Sequence, residues 1–459
     1  MQFDLAIKNG LVVTAADSFS ADIGIVGEKI AAIDQGLHGK RLIDAGGKLV
    51  LPGAVDPHVH LEMPQEAVIS SDDFETGTIA AACGGTTTII DFVEPEGDER
   101  LMEALVNRRA QADGRAVIDY GLHMTLVNAR ETTLAQVSDA LQAGCTSFKT
   151  YTIYEGFYLE DNAMLNALEA VHSAGGLVIV HAENRHIVNH LQDKFLAAGQ
   201  VEPRFHPRSR PPIVEAEAVQ RVLKLAEVAG CPLYVVHIST RLGAEALQQA
   251  RFRGQTAFGE TCPQYLLLTD AKYDQPGLEG AKFVCSPPLR PADNPPALWD
   301  GLAHGHLQTV GSDHCPFNYA EQKIRGCDIF TQIPNGMPSI EARLALLYTF
   351  GVGQGRLSLN RWVEVCCTYP AKIFGVYPQK GTLAPGADAD IVIFDPQHEV
   401  TLSQDILHEQ VDYTPYDGFN LRGYPEVTIA RGQVLCQDGE FIGPKGYGRF
   451  LYRKPFSAS

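Results

Sequence analysis

The sequence predicts an eight-stranded β/α barrel accompanied by a small β-sandwich assembled from both chain ends. Three observations lead there. Between residues 53 and 379 apolar, β-rich runs alternate with helical patterns eight times; the flanking stretches read as short strands alone; and five of the central runs end on a residue able to hold a metal ion. Alternating strand and helix is the pattern of a parallel sheet. Barrels place their reactive groups at the C-terminal ends of the strands.

Taken in order, residues 4–7, 11–14, 22–26 and 29–33 read as strands, punctuated by turn signals at Asn9-Gly10 and Gly27-Glu28. The same character returns at 389–394, 427–431 and 433–436. Chain termini often lie close together, so residues 1–52 and 380–459 are expected to form one sandwich with a C-terminal tail, leaving 53–379 as the barrel. Barrel strands are expected at 53–58, 86–92, 119–126, 147–151, 176–181, 232–238, 255–260 and 309–313. Helices intervene, among them 162–173 and 215–229, the second with an acid in its first turn and Gly230 as a stop. A doubly wound open sheet is the alternative. It lacks a glycine-rich phosphate loop, since Gly84-Gly85 precedes a strand and reads as a tight turn.

Composition works mainly by exclusion. A chain of 459 residues, 45% apolar, can bury a large core, and length alone suggests two to three domains. A formal charge of −18 disfavours nucleic acid and anionic membranes as partners. No apolar run approaches the roughly 20 residues of a membrane helix, and an acid at Asp4 breaks any export signal, so a cytoplasmic location is expected. Ten cysteines without a C-x-x-C pair, several of them in apolar segments (Cys145, Cys262, Cys285), point to buried reduced thiols.

The strand-end residues carry the chemistry. His58 and His60 are two apart, so on a strand both rings face the same way and can share one ion. His181 and His237 each close a β-branched run on what should be neighbouring strands. Asp313 ends the last run, where a carboxylate can bind metal and exchange protons. His314 points elsewhere by alternation, and His304-Gly305-His306 reads as a surface loop. Lys149 is the anomaly, because an ammonium group would repel cations. A neutral amine there could react with CO₂ to give a carbamate with one oxygen for each of two ions; the alternative is a lysine that binds an anionic substrate.

The motifs Pro52-Gly53-x-x-Asp56-x-His58-x-His60, Ser147-Phe148-Lys149 and Gly311-Ser312-Asp313-His314 resemble those of the cyclic amidohydrolases, in the hydantoinase and dihydropyrimidinase group. The likeness extends through Asp72-Asp73-Phe74-x-Thr76-Gly77-Thr78, Gly84-Gly85-Thr86-Thr87-Thr88, Glu260-Thr261-Cys262-Pro263-Gln264-Tyr265, Pro334-Asn335-Gly336-x-Pro338 and Lys380-Gly381-x-Leu383-x-Pro385-Gly386. Cys285-Ser286-Pro287-Pro288-Leu289-Arg290 and the tail Gly448-Arg449-Phe450 are similar to bacterial D-phenylhydantoinases. The resemblance implies a (β/α)₈ TIM barrel with two divalent metal ions, zinc by expectation. His58, His60 and Asp313 would hold the first, His181 and His237 the second, with Lys149 as N6-carboxylysine bridging both. It implies ring opening of a cyclic amide to an N-carbamoyl acid, with Asp313 moving the proton and Tyr154 donating to the developing oxyanion. Ser286 and Asn335 would hold the ureido edge of the substrate through main-chain groups.

Sister activities separate in part. Dihydroorotases usually carry Arg two residues after the second histidine; here Glu62 stands there and would repel an anion. Allantoinases usually continue with a Glu-Pro-Gly-Arg-like stretch, unlike Met63-Pro64-Gln65. Neutral rings are therefore expected: 5-substituted hydantoins, with aromatic and D-configured substituents favoured, or alternatively dihydrouracil and dihydrothymine. The apolar segments 63–69, 92–93 and 153–157 would line the pocket. A non-catalytic dihydropyrimidinase-like scaffold is the remote alternative, disfavoured by the complete ligand set and by the lack of a long Ser/Thr/Pro-rich tail. The family implies a homotetramer.

Overall fold

Eight parallel strands form the barrel, and its closing seam lies at the expected metal ligands. The computed structural model describes residues 2–65, 67–326 and 328–457. The barrel strands are β6 (Ala54–Val59), β7 (Thr86–Val93), β8 (Asp119–Thr125), β9 (Ser147–Tyr151), β10 (Leu177–His181), β11 (Leu233–Val235), β12 (Ala257–Thr261) and β13 (Thr309–Val310), hydrogen-bonded in that order. Between β13 and β6 the ladder is replaced by two backbone bonds, Asp313 N–H to His58 C=O (3.0 Å) and His60 N–H to His314 C=O (2.8 Å). Beneath that seam, buried Arg343 donates to the Val310 carbonyl at 2.7 Å and pairs with Asp56 at 3.4 Å.

All eight expected barrel strands are present, but β11 and β13 are shorter than 232–238 and 309–313. His237 and Asp313 lie beyond the ladders, with φ of 38° and 52°. Positive φ interrupts an extended strand, so these two side chains come from turned backbone. Helix α1 (Phe74–Cys83) precedes β7, and Gly85 (φ 84°) makes the tight turn between them. Of the two helices singled out in the sequence, 162–173 is α2 (Asp161–Ala174) and 215–229 is α3 (Pro212–Ala229). Proline in the first turn moves the start of α3 ahead of residue 215. Gly175 and Gly230 end these helices with left-handed φ of 83° and 62°.

The chain ends meet in one nine-stranded sheet. It contains β1 (Phe3–Val13), β2 (Ser18–Val26), β3 (Lys29–Asp34), β4 (Gly39–Asp44) and β5 (Leu49–Pro52) from the front, and β14 (Ile391–Thr401), β15 (Asn420–Ala430), β16 (Gln433–Gln437) and β17 (Glu440–Phe441) from the back. The order is β17-β16-β15-β14-β5-β1-β2-β3, with β4 also paired to β1, and the β5–β14 ladder joins the two ends. Ile7, Val12, Ile23, Val50, Ile391, Ile393 and Ile429 share its own core. Asn9-Gly10 is not a turn between two strands. It is a bulge inside β1: Asn9 takes φ 64°, its N–H donates to Asp22 and its side chain to Asp44, and β1 continues to Val13. Strands β4 and β5 had no counterpart in the sequence expectations.

Lys380 fastens the sheet to the barrel. Its buried Nζ lies 2.6 Å from Asp119 at the start of β8, 2.8 Å from Asp390 and 3.0 Å from Asp388. The tail returns to the same end of the barrel: Leu451 N–H donates to the Tyr120 carbonyl (2.7 Å) and Arg453 to Ser147 Oγ (2.8 Å). Both contacts occupy the N-terminal ends of strands and leave the C-terminal ends to the cavity. The nine described cysteines are free and buried, as expected; Cys327 lies outside the described residues. Among the described residues no helix is long and apolar enough to cross a membrane.

Candidate active site

A cavity of about 940 Å³ opens over the strand ends, and His58, His60, Lys149, Tyr154, His181, His237, Ser286, Asp313 and Asn335 all line it. His58 Nε2 lies 3.2 Å from His60 Nε2 and 3.1 Å from Asp313 Oδ1; His60 Nε2 is 3.5 Å from the same oxygen. Among the described residues these three form a compact cluster whose ligand atoms could hold a metal ion. The His181 and His237 rings are 4.6 Å apart, and His237 is 5.4 Å from His58, so the second histidine pair adjoins the first cluster. Lys149 sits buried at the same place, its Nζ 4.9 Å from the Phe92 ring and 5.1 Å from the Tyr151 ring.

Electrostatics favour neutral imidazoles at His58, His181 and His237 and an ionised Asp313. Burial pushes His58 and His237 well below the usual histidine range and lowers His181. Burial pushes Asp313 up, but the adjacent His58, His60 and Lys149 hold it below the usual carboxylate range. Lys149 is lowered to about 8 by burial. Two imidazole nitrogens and a carboxylate oxygen converge at 3.1–3.5 Å. A divalent cation fits that donor set.

Two carboxylates behind the histidines select which ring nitrogens face the centre. Glu260 lies 2.7 Å from His58 Nδ1, accepts the His237 N–H at 3.1 Å and accepts the Tyr234 hydroxyl at 2.8 Å. Glu183 lies 2.9 Å from His181 Nε2 and pairs with buried Arg210 at 2.5 Å. Burial would raise Glu183, yet Arg210 and His181 hold it down at about 2, whereas burial carries Glu260 up to about 7. His58 is thereby left with Nε2, and His181 with Nδ1, as the free nitrogen. The sequence reading gave Glu183, Glu260 and Arg210 no role. Glu183 had a signal, standing two residues after a strand-end histidine; Arg210 had none.

Backbone strain gathers here too. Tyr154 (φ 74°), His237 and Asp313 are non-glycine residues with left-handed backbone, a conformation costing ~1–3 kcal/mol each. The Tyr154 ring packs 5.0 Å from His181 and 5.9 Å from the Arg210 guanidinium. Ser286 Oγ donates to Asn335 Oδ1 at 2.9 Å. The Asn335 N–H is already taken by Gln65 Oε1 at 2.7 Å, so a ureide using that main-chain donor must displace Gln65.

Of the apolar segments expected to line the cavity, Met63, Pro64, Val68, Ile153 and Phe157 do so. Glu66, within the expected segment 63–69, lies outside the described residues. Phe92 instead stacks on the His60 ring at 4.6 Å, supporting a ligand from behind. Glu62 faces Arg115 at 3.1 Å and does not line the cavity, so its charge is compensated away from the substrate. His314 turns away as expected, with Nε2 3.0 Å from Asp72 and Nδ1 accepting the Ser339 N–H. His304 is exposed just past a helix end.

With barrel and site in place, comparison defines the class. Residues 49–435 match the amidohydrolase family, and the chain belongs to it. It is 44% identical to a D-hydantoinase from Streptomyces coelicolor, with 97% of each chain covered. It is 43% identical to a D-phenylhydantoinase from Escherichia coli O1:K1, with 98% of each covered. The solved structure of a dihydropyrimidinase from Brevibacillus agri superposes with a TM-score of 0.98 at 43% identity over 99% of each chain. Within the family, the chain is a cyclic amidohydrolase of the hydantoinase and dihydropyrimidinase group.

Proposed function

We propose that this cyclic amidohydrolase opens 5-substituted hydantoins to N-carbamoyl amino acids, with D-selectivity and a preference for aromatic 5-substituents. One observation carries the reading: apolar Met63, Val68, Ile153 and Phe157 line the same cavity as the His/Asp cluster and the polar pair Ser286 and Asn335. An apolar substituent and a flat ureide can thus be held together. The D-hydantoinase and D-phenylhydantoinase relatives support the same choice.

In this reading His58, His60 and Asp313 would hold one divalent ion and His181 and His237 a second, with Lys149, as N6-carboxylysine, supplying oxygens to both and zinc as the expected occupant. Bound there, such ions would lower the pKa of water and polarise the substrate carbonyl. Asp313, kept ionised by its histidine neighbours, accepts the proton of the attacking water and returns it to the leaving ring nitrogen. Tyr154, held by strained backbone beside His181, donates a hydrogen bond from its hydroxyl to the developing oxyanion. Ser286 and Asn335 orient the ureido edge once Gln65 has moved aside. Residues 53–379 make the catalytic unit, 1–52 with 380–459 its companion, and a cytoplasmic homotetramer completes the family expectation.

A second reading, dihydropyrimidinase, is favoured by the fit to the Brevibacillus agri structure. The discriminating experiment measures turnover of both enantiomers of 5-phenylhydantoin, dihydrouracil, allantoin and dihydroorotate on protein of known metal content. D-5-phenylhydantoin should lead. Dihydrouracil turned over as fast or faster would overturn the hydantoin assignment in favour of the second reading.

A further inference from the structure

We propose that Cys83 and Cys436 form an oxidisable pair, a modification site at the joint between barrel and end sheet that a peroxide converts to a disulfide. Cys83 is the last residue of α1 and Cys436 lies in β16, and their sulfurs are 2.9 Å apart. Unbonded carbon atoms in contact rest at ~3.5–4.0 Å and sulfur is larger than carbon, whereas a disulfide closes to ~2.05 Å. Both side chains are buried and neither lines the cavity, so the reaction described above makes no use of them.

A base stands beside the pair. His408 Nε2 lies 3.9 Å from Cys83 Sγ, and its Nδ1 lies 2.9 Å from Glu341 Oε1. The second Glu341 oxygen accepts the His408 N–H at 2.6 Å. Glu341 thereby holds the Nδ1 proton and leaves Nε2 as the acceptor facing Cys83. Cys83 is buried, whereas the His408 side chain is 28% exposed, so a small oxidant approaches from the His408 side.

The Cys83 thiol gives its proton to His408, and the sulfur attacks one oxygen of hydrogen peroxide. The O–O bond breaks, leaving a sulfenic acid on Cys83, and the departing hydroxide takes the proton back from His408 to leave as one water. The Cys436 sulfur then attacks the Cys83 sulfur and expels hydroxide, which leaves as a second water with the Cys436 proton. Two thiols lose two electrons and two protons, and the peroxide is reduced to two waters. In a reducing compartment the pair stays as thiols, and the cross-link marks oxidative exposure. The partners are 353 positions apart, so the bond restricts a long loop of the unfolded chain.

The test exposes the metal-loaded full chain to hydrogen peroxide, alkylates remaining thiols in denaturant and digests with trypsin without reduction. Tryptic segments 49–100 and 432–445 each hold one cysteine. They should appear joined, at their summed mass less two hydrogens, and separate on reduction. The thermal midpoint should rise by about 5 °C and fall back with reductant. Cys436→Ser should lose both the joined segment and the shift; should that variant fail to fold, the wild-type digest decides alone. Recovery of both cysteines in alkylated form, or over-oxidised Cys83 without a cross-link, would overturn the proposal.

Discussion

The Glu260 carboxylate and the His58 imidazole face each other at 2.7 Å, and the same carboxylate accepts the main-chain N–H of His237. One buried side chain on β12 therefore braces a histidine from each half of the proposed binuclear centre. Partners of this kind, behind a ligand, orient it and raise its basicity, and losing one costs 10–100-fold in metal affinity as an order of magnitude. Glu260→Gln should shed metal to a chelator at correspondingly lower concentration, measured by mass spectrometry of the dialysed protein. Wild-type retention would refute the bracing role.

Lys149 gives a test by metal removal. As carboxylysine it would bring one oxygen to each ion. As an ammonium ion, buried beside four histidines, it would oppose both. Stripping the protein with a chelator and restoring zinc in CO₂-free buffer should recover little activity, and adding bicarbonate should restore it. Lys149→Ala should lose both metals and turnover together. Full metal content in that variant would remove Lys149 from the bridge.

Much of the fold was legible because barrels put function at strand ends, so the apolar runs closing on His58, His181 and His237 exposed the barrel and pointed to the candidate ligands that now line one cavity. What escaped is long-range or conformational. Arg210 reaches the centre by pairing with Glu183 across 27 positions and by standing over the Tyr154 ring, and such contacts leave no local pattern. The left-handed turns at His237 and Asp313 look like strand from composition alone, because the preference of His and Asp for positive φ is too weak to stand out beside their β-branched neighbours. Asn9-Gly10 misled for the opposite reason: a turn dipeptide serves a bulge equally well once Asp22 and Asp44 can bind it.

The junction under the barrel should show its own pH signature. Burial lowers the Lys380 ammonium, but Asp390, Asp119 and Asp388 outweigh it and raise its pKa above the usual lysine range. A raised lysine contributes stability in full below its unfolded pKa of about 10.4 and loses it as pH climbs toward the folded value. Asp388 works in reverse: burial raises it, Lys380 and Lys29 hold it lower, and its contribution fades as pH falls below about 3.9. Lys380→Met strands the carboxylates and should cost ~3–5 kcal/mol in denaturant unfolding. That difference should stay level between about pH 5 and 10 and shrink above. A flat difference through pH 12 would deny the ammonium its role.

Tyr154 should separate binding from chemistry. Burial raises its phenol well above the usual tyrosine range, so it stays a protonated donor throughout the working range of pH. A group that donates only to charge formed in the transition state changes kcat and leaves KM largely intact. Tyr154→Phe should therefore lower kcat by ~10²–10³-fold, the scale of one lost oxyanion donor. The pH–rate profile should keep its shape, because the phenol does not titrate there. Metal content should match the wild type, which distinguishes this variant from Lys149→Ala. A large rise in KM with kcat preserved would instead place Tyr154 against the substrate ring as a packing contact.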